Sequence, residues 1–363
     1  RLAALEGGVA ALLVASGQAA ETYAIQNIVE AGGHVVASPR LYGGTYNLLH
    51  YTLPKFGIET TFVENPDDPE SWQAAVRPNT RAFYGETISN PKIEILDISA
   101  VAEVAHRNGV PLIVDNTLAT PYLLNPLAHG ADIVVHSTTK WIGGHGTSIG
   151  GVIIDGGTFD WTSQRDGEDL FPGFTQPDPS YGGVKFVDLG APAYALKARV
   201  QLLRDTGAAI SPFNAFLIAQ GIETLSLRVQ RHVENTQKVA AYLVDHPQVT
   251  DVYYAGLDSS PYHELAGKLL PKGTGSVISF ELDGGVDAGK RFVDALTLHS
   301  HVANVGDVRS LVIHPASTTH SQLTPDEQLA AGVTPGLVRL SVGIEGIDDI
   351  LADLDRGFAA AKG

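Results

Sequence analysis

The stretch "ADIVVHSTTKWIGGHG", residues 131–146, places a lysine shortly after an apolar run. Residues 133–135 are typical of a buried strand, and hydroxyl residues, Lys140 and a glycine-rich turn follow them. Either the strand has reached the surface, where lysines are common, or the amine faces an anionic and electrophilic ligand. Because buried lysines are rare unless they are paired or functional, the rest of the chain has to decide between these interpretations.

Similar apolar runs recur along the first two-thirds of the chain. The predicted strands are residues 9–16, 34–38, 58–64, 81–87, 110–116, 131–137 and 151–155, and the predicted helices include residues 19–33, 68–76 and 97–109. This alternation predicts an α/β fold whose mostly parallel sheet has helices on both faces. In such sheets, ligands bind at the carboxyl ends of the strands.

The pattern changes after residue 155. Residues 156–190 are rich in Gly, Pro, Asp and aromatic residues, which indicates a long irregular excursion. Helical patterns follow, and after about residue 243 the strand patterns are fewer and more widely spaced. We therefore expect a large α/β domain over residues 1–242 and a smaller C-terminal α+β domain over residues 243–363.

The composition excludes several classes of protein. The chain has 363 residues and a net charge of −16, which argues against nucleic acids and anionic membranes as partners. It has no Cys, so thiol chemistry and disulfides are excluded. No apolar run approaches the ~20 residues of a membrane span, and we expect a cytoplasmic protein. Because the chain has no Met and begins inside a helical pattern, we expect that an N-terminal segment is missing.

Polar side chains follow three of the predicted strands. They are Glu86 and Asn90 after one strand, Asp115 after the next, and Ser137, Thr139 and Lys140 after the third. The carboxyl ends of parallel strands meet at one edge of a sheet, so we expect these side chains to converge. A fourth strand is followed by Ser16, a plausible N-cap, and by Gly17 and Gln18 at the start of a helix. Free backbone N–H groups at a helix start predict a phosphate site.

One cofactor, pyridoxal phosphate, uses this whole inventory, because it has an aldehyde, a ring nitrogen, a ring hydroxyl and a phosphate. Lys140 would bind the aldehyde, and Asp115 would keep the ring nitrogen protonated. Asn90 could bond the ring hydroxyl, and Tyr42 could stack on the ring. No metal site is expected, because the spacing of the histidines fits no helical ligand pattern.

These residues lie in motifs that resemble the Cys/Met-metabolism family of fold-type I pyridoxal-phosphate enzymes. The resemblance covers nearly the whole chain, through "VASGQAAE", "LYGGTYN", "GETISNP", "VDNTLATP", "HSTTKWIGGHG", "HPASTTH" and "LVRLSVGIE". Within the family the chain is most similar to the O-acetylhomoserine sulfhydrylases. This similarity rests on "GGHGTSIGG" after the lysine, on the excursion at 156–190 and on Asn304 in "HVANVGD".

The resemblance implies a role for each matching residue. The implied catalytic residues are Lys140 and Tyr42; the implied cofactor-binding residues are Gly17, Gln18, Tyr42, Asn90, Asp115, Thr117, Ser137, Thr139 and Lys140; the implied substrate-binding residues are Arg339, Asn90 and Asn304. Arg339 is expected to bind the substrate carboxylate, because a planar guanidinium matches a carboxylate with two hydrogen bonds. The family's Y-x-R-like segment, which completes the phosphate site of a neighbouring subunit, would lie upstream of residue 1.

The implied reaction is a γ-replacement that converts O-acetylhomoserine and sulfide to homocysteine and acetate in methionine biosynthesis. The implied assembly is a homotetramer with active sites at the dimer interface. Cystathionine γ-synthase and methionine γ-lyase activities on the same scaffold remain alternatives, as does a non-catalytic homologous subunit. The sequence fixes neither the acyl group nor the sulfur donor.

Overall fold

The strands expected in the first two-thirds of the chain form one seven-stranded sheet in the computed structural model, which describes residues 1–319, 321–322, 324–330 and 332–362. They are β1 (Ala10–Val14), β2 (His34–Ala37), β3 (Glu59–Phe62), β4 (Thr80–Glu86), β5 (Leu112–Asp115), β6 (Ile133–Ser137) and β7 (Gly151–Asp155). Their order across the sheet is β1-β7-β6-β5-β4-β2-β3. All neighbours from β6 to β3 pair in parallel, whereas β7 is antiparallel to both β1 and β6. The prediction of a mostly parallel sheet is confirmed.

This sheet belongs to the large unit, which consists of residues 1–88, 96–139 and 147–219. Its helices are α1 (Leu2–Glu6), α2 (Gly17–Gln26), α3 (Gly43–Asn47), α4 (Pro69–Ala74), α5 (Ile98–Arg107), α6 (Thr120–Leu123), α7 (Pro172–Thr175), α8 (Ala193–Ala198), α9 (Arg204–Thr206) and the start of α10 (Pro212–Glu223). Every residue of β5 and β7 is buried, as their continuous apolar sequences predict. The carboxyl ends of β1, β2, β4, β5 and β6 lie at the same edge of the sheet.

The excursion at 156–190 is held in place by aromatic packing. It contains the short hairpin of β8 (Gln164–Arg165) and β9 (Glu168–Asp169) as well as α7. The ring of Trp161 stacks on Phe174 with centroids 4.4 Å apart, and on Tyr194 of α8 at 5.4 Å. The three rings are buried, so this irregular segment contributes its own apolar cluster to the large unit.

The small unit consists of residues 89–95, 140–146 and 220–363. In its described residues, a five-stranded sheet has the order β10-β11-β14-β13-β12. The strands are β10 (Val249–Tyr253), β11 (Val277–Leu282), β12 (Ser300–His301), β13 (Leu311–Ile313) and β14 (Leu337–Ser341), and the helices are α11 (Leu225–Val244), α12 (His263–Leu269), α13 (Gly285–Ala295), α14 (Pro325–Ala330) and α15 (Ile347–Ala361). Helices and strands of this unit share one apolar core.

The two compact units divide the chain differently from the expected boundary at residue 242. Helix α11 belongs to the small unit, because Val239 and Leu243 are part of the same apolar core as Phe280 and Phe358. Two short segments, 89–95 and 140–146, also belong to the small unit although they follow strands of the large one. The domain boundary at residue 242 that the sequence indicates stays a prediction. Across the described residues, no helix combines the length and the apolar character needed to cross a membrane.

Candidate active site

Two acidic side chains lie next to each other at the carboxyl ends of β4 and β5. The parallel register pairs Glu86 with Asp115, and the two residues are 6% and 9% exposed. Burial raises the pKa of both carboxyl groups, and the charge of Asp115 raises the pKa of Glu86 further. The edge of the sheet at which the sequence predicts a ligand therefore contains carboxyl groups that are shielded from water.

Thr117 connects Asp115 with the end of β6. The backbone N–H and the hydroxyl of Thr117 donate to Oδ1 of Asp115 at 2.8 and 2.5 Å. Oγ1 of Thr117 in turn accepts a hydrogen bond of 2.8 Å from the backbone N–H of Ser137. Three residues that the resemblance assigns to cofactor binding are thus brought together, and their roles stay predictions.

The start of α2 lies against the end of β6. Ser16 caps the helix by accepting a hydrogen bond from the backbone N–H of Ala19 at 3.1 Å, as the sequence predicts. A Cβ atom on Gly17 would lie only 2.8 Å from Cβ of Ser137, so this close approach requires glycine. The N–H groups of Gly17 and Gln18 precede the first backbone bond of the helix, which Ala20 donates to the carbonyl of Ser16. A helix start of this kind binds anions.

Tyr42 lies at the same edge, after β2. Its backbone N–H donates to Oε1 of Glu86 at 2.6 Å, and its side chain is 54% exposed. A Cβ atom on Gly44 would lie 2.5 Å from Cε1 of Tyr42 and 3.3 Å from Cδ of Gln18. The tyrosine ring and the Gln18 side chain therefore approach the same glycine, which explains the small residue in "LYGGTYN".

Thr139 is engaged differently from Ser137. Its hydroxyl accepts a hydrogen bond from the backbone N–H of Gly150 at 3.1 Å and donates to the carbonyl oxygen of the same residue at 3.3 Å. This pair fixes the chain on both sides of the glycine-rich turn. The phosphate contact that the resemblance implies for Thr139 stays a prediction.

In the small unit, Lys140 is the centre of a second group of predicted residues. Its Nζ donates a short hydrogen bond to Oδ1 of Asn304. Burial lowers the pKa of Lys140 to about 8, and the positive charge of Arg339 contributes to this shift. A pKa of this size leaves part of the amine neutral near pH 7.

Arg339 lies on β14, between β11 and β13, and is 9% exposed. Its guanidinium donates to Oδ1 of Asn90 at 3.2 Å and to the backbone carbonyl of Asn304 at 3.1 Å. Lys140, Asn90, Asn304 and Arg339 are therefore joined in one network of polar contacts. Their roles toward a substrate stay predictions.

These residues fit pyridoxal phosphate. In the large unit, the Gly17–Ser137 contact brings a helix start and a hydroxyl together for a phosphate, and buried Asp115 offers a carboxyl group for a protonated ring nitrogen. In the small unit, the pKa of Lys140 is lowered, so part of its amine is neutral. Only the neutral amine can attack an aldehyde. The groups of the large unit thus match the phosphate and the ring nitrogen, and the amine of the small unit matches the aldehyde.

Sequence reasoning missed two buried groups near these residues. Glu21 on α2 is 4% exposed, and His136 of β6 bonds Oε1 of Glu6 through Nε2 at 2.6 Å, with both side chains buried. The signal for Glu21 is an acidic residue inside the apolar pattern "AAETYAI". The sequence gives a weaker signal for the contact between Glu6 and His136, because these residues are 130 positions apart.

Comparison with known proteins decides the family. A model of the Cys/Met metabolism PLP-dependent enzymes matches residues 1–359. This chain belongs to that family. The O-acetyl-L-homoserine sulfhydrylase of Corynebacterium glutamicum is 60% identical over 360 residues, which cover 99% of this chain and 82% of the relative. The enzyme of the same name from Leptospira meyeri is 58% identical over 368 residues, with 99% and 82% covered.

A solved structure agrees with these relatives. The putative O-acetylhomoserine (thiol)-lyase of Campylobacter jejuni is similar with a TM-score of 0.93 and 40% identity, and the match covers 99% of this chain and 84% of that one. That structure contains N'-pyridoxyl-lysine-5'-monophosphate. The predicted family, the fold-type I α/β class and the pyridoxal phosphate cofactor are thereby confirmed.

Proposed function

We propose that this chain is an O-acetyl-L-homoserine sulfhydrylase, which replaces the acetate of O-acetylhomoserine by sulfide and releases homocysteine. The observation that supports this function most directly is the contact of Lys140 with Asn304 beside Arg339. Asn304 is one of the features on which the resemblance to the sulfhydrylases rests, because many relatives carry a serine at this position. The identities of 58–60% to two sulfhydrylases support the same function.

When bound, pyridoxal phosphate supplies an electron sink for the α-carbon of the amino acid. The large unit supplies the groups that hold it. The N–H groups of Gly17 and Gln18 and the hydroxyls of Ser137 and Thr139 bind the phosphate. Thr117 orients Asp115 through two hydrogen bonds, so that its carboxylate keeps a proton on the ring nitrogen. Tyr42 covers a face of the ring and acts as an acid.

The small unit supplies the groups that act on the substrate. Lys140 would hold the cofactor through its aldehyde group, and its neutral Nζ would take the proton from the α-carbon of the substrate. This transfer needs a neutral amine, which a pKa of about 8 makes available near neutral pH. Arg339 binds the substrate carboxylate with its two guanidinium N–H groups, and Asn90 fixes the guanidinium through its side-chain oxygen. Asn304 orients Lys140 by accepting the hydrogen bond from Nζ.

We further propose that the enzyme is a cytoplasmic homotetramer with active sites at the dimer interface. The family resemblance supports the assembly. Light scattering of the purified full-length protein measures it, and a mass of four chains is expected. A monomer that retains full activity would contradict the interface site.

The function is tested with the full-length protein, pyridoxal phosphate and O-acetylhomoserine, with sulfide in one reaction and cysteine in another. Homocysteine formed only with sulfide is the expected result. Cystathionine formed from cysteine would instead indicate a γ-synthase, and thiol release from methionine would indicate a γ-lyase. A colourless protein that takes up no pyridoxal phosphate would contradict the function altogether and would favour a non-catalytic homologue.

A further inference from the structure

Arg228 is a buried cation that the proposed function leaves without a role. It lies on α11 in the small unit and is 5% exposed. Burial lowers the pKa of its guanidinium to about 10, so the group is still charged near neutral pH. Within the described part of the chain, it donates to three carbonyl oxygens and to the hydroxyl of Thr224, and to no carboxylate. A buried charge without a counter-ion is costly, so its presence calls for an explanation.

The guanidinium of Arg228 bonds the two residues that follow Lys140. Nη1 donates to the carbonyl oxygen of Trp141 at 2.7 Å, and Nη2 donates to that of Ile142 at 3.3 Å. Nη2 also donates at 2.7 Å to the carbonyl oxygen of Gly221, near the end of α10. The planar fork of one arginine therefore fixes the chain directly after the lysine to these two helices.

The turn after Lys140 is shaped around this guanidinium. The backbone N–H of Gly144 donates to the carbonyl oxygen of Lys140 at 2.7 Å, which closes the turn over residues 140–144. Gly144 has a φ of +75°, and a Cβ atom there would overlap Nη1 of Arg228. The turn therefore has room for the guanidinium only because residue 144 is a glycine.

The same turn also holds the loop that carries Asn304. The carbonyl oxygen of Gly144 accepts a hydrogen bond of 2.9 Å from the backbone N–H of Val308. Oδ1 of Asn304 accepts the hydrogen bond from Nζ of Lys140. Arg228 therefore acts on both ends of this bond, on the donor directly and on the acceptor through the turn.

Other titratable groups around this turn have partners of their own. Arg339 on β14 belongs to the polar network described above, and its charge also lowers the pKa of the lysine. Asp307 is paired with Arg309 at 2.9 Å, and Nδ1 of His145 donates to the carbonyl oxygen of Gly143 at 2.6 Å. These contacts would persist if the arginine on α11 were replaced, so a substitution there tests its hold on the turn.

We propose that Arg228 is a positioning residue, which clamps the turn after Lys140 so that Nζ stays buried beside Asn304 and is presented to the aldehyde of pyridoxal phosphate. This inference rests on the proposed function, because it takes the role of Lys140 from there. Without the clamp, the turn would relax and water would reach the amine. The amine would then become a stronger base, because the burial that lowers its pKa would be partly lost.

The first test needs no cofactor. Trace acetylation of the cofactor-free full-length protein with acetic anhydride over a range of pH, followed by peptide mapping, measures the pKa of each lysine. Lys140 should titrate near pH 8 in the native protein and about one pH unit higher in Arg228→Gln, because its amine becomes hydrated. Lys197 belongs to the large unit and also has a pKa lowered to about 8, so it is an internal control whose midpoint should stay constant. An unchanged Lys140 midpoint in Arg228→Gln would overturn the proposal.

Arg228→Lys separates the clamp from the charge. A lysine keeps the positive charge, but its single nitrogen does not reproduce the planar fork that bonds two successive carbonyl oxygens. The Lys140 midpoint should therefore rise in this variant as well. A native midpoint in Arg228→Lys, together with a raised one in Arg228→Gln, would show that only the charge matters and would overturn the positioning role.

Two further variants separate positioning from a general loss of stability. Arg231→Gln removes an exposed arginine of the same helix, which pairs with Glu234 at 3.4 Å, and should leave the midpoint unchanged. Asp353→Ala destabilises the small unit by freeing backbone N–H groups before β12, and it should also leave the midpoint unchanged. Urea titration measures the loss of unfolding free energy in each variant. An equal rise of the Lys140 midpoint in Asp353→Ala would contradict the proposal, because lost stability alone would then explain it.

The last test uses the loaded protein. In Arg228→Lys, kcat should fall by about tenfold with little change in KM for O-acetylhomoserine, because Arg339 still binds the carboxylate. An unchanged kcat would overturn the positioning role. A native protein that makes no homocysteine would instead contradict the proposed function, whereas the acetylation of Lys140 would still decide whether Arg228 clamps the turn.

Discussion

At the residue scale, the chemistry depends on the state of one amine. Lys140 has a pKa lowered to about 8 from 10.5, first by burial and then by the charge of Arg339. At pH 7 roughly a tenth of such amines are neutral, compared with roughly one in 2,500 for an ordinary lysine. The same network that holds Lys140 therefore also makes it reactive.

We expect the capture of pyridoxal phosphate by the cofactor-free protein to follow the titration of Lys140. Because only the neutral amine attacks the aldehyde, the rate should rise about tenfold per pH unit and level off above about pH 8. Stopped-flow absorbance measures this rate. In Arg339→Gln the midpoint should move to higher pH, since a positive charge has been removed. A midpoint near that of a free lysine in the native protein would contradict the shift.

Arg339 should also affect substrate binding. Arg339→Gln removes the bidentate partner of the carboxylate, so KM for O-acetylhomoserine should rise by about ten- to a hundredfold while kcat changes less. Steady-state kinetics in saturating sulfide measures both constants. Arg356→Gln, an exposed arginine on α15, serves as the control and should leave KM unchanged. An unchanged KM in Arg339→Gln would mean that another residue binds the carboxylate.

The sequence predicts the positions of some site residues but not of others. Lys140, Asp115 and Ser137 follow apolar runs, so the strand pattern alone places them at one edge of a sheet. Asn304 bonds Lys140 across 164 residues, and no local pattern encodes that contact. The burial of Glu21 is not predictable from a local pattern either, because it depends on the packing of α2 against strands that come later in the chain.

At the element scale, the start of α2 depends on a glycine. A methyl group at Gly17 would meet Ser137 at 2.8 Å, and overpacking of this kind costs about 1–3 kcal/mol. Gly17→Ala should therefore push α2 away from β6 and weaken the binding of pyridoxal phosphate by about tenfold or more. Equilibrium titration followed by absorbance measures the affinity.

Gly267 provides the matched control for this substitution. It lies on α12, and a Cβ atom there would meet nothing within 4 Å. Gly267→Ala should keep the native affinity and stabilise the helix slightly. Equal affinities in Gly17→Ala and Gly267→Ala would show that the close approach of α2 to β6 is not needed for cofactor binding.

Helix α15 holds the segment before β12 through one carboxylate. Asp353 is 2% exposed and accepts hydrogen bonds from the backbone N–H groups of Thr297, Leu298 and His299 at 2.8–3.0 Å. Asp353→Ala leaves these donors unsatisfied and should cost about 2–4 kcal/mol of unfolding free energy. Urea titration measures the loss. Asp355→Ala, an exposed acid on the same helix, should cost less than about 1 kcal/mol.

The pH dependence of this effect has a definite sign. Burial alone would raise the pKa of Asp353, but the hydrogen bonds, including one from Nδ1 of His299 at 2.9 Å, hold it well below its usual range. A lowered pKa in the folded state stabilises the protein above the unfolded pKa of about 3.9, and this contribution is lost as the pH falls below that value. The difference between the native protein and Asp353→Ala should therefore shrink below about pH 4. A difference that grows in acid would contradict this explanation.

The elements themselves were largely predictable. All seven strands of the large sheet overlap with segments that the sequence predicts as strands. The signal is clearest for β5 and β7, because fully buried strands need a continuous apolar sequence. The direction of β7 was not predictable, since an apolar run reads the same in a parallel and in an antiparallel strand. The hairpin of β8 and β9 has only two residues in each strand, too few for a detectable alternation.

At the scale of the whole molecule, chain order and compact units do not coincide. The segments 89–95 and 140–146 leave the large unit in sequence and return to it, and they carry Asn90 and Lys140. A boundary drawn at one point of the sequence cannot describe such an arrangement. The net charge of −16 and the absence of Cys bear on the classes of partner that the sequence predicts, but they say nothing about the reaction.

The central claim is that Lys140 binds pyridoxal phosphate, and the chain contains a demanding control for it. Lys197 is also buried, and burial lowers its pKa to about 8 as well. Its Nζ, however, donates to the backbone carbonyl of Asn27 at 2.8 Å and lies over the ring of Phe174. A lowered pKa by itself therefore does not distinguish the two lysines, whereas their surroundings do.

The most direct measurement is borohydride reduction of the loaded full-length protein, followed by peptide mapping by mass spectrometry. The pyridoxyl group should be found on the peptide that contains Lys140, and Lys140→Ala should lose both the label and turnover. Lys197→Met should keep the label on Lys140. A pyridoxyl group on Lys197 or on any other lysine, or turnover retained in Lys140→Ala, would contradict the assignment.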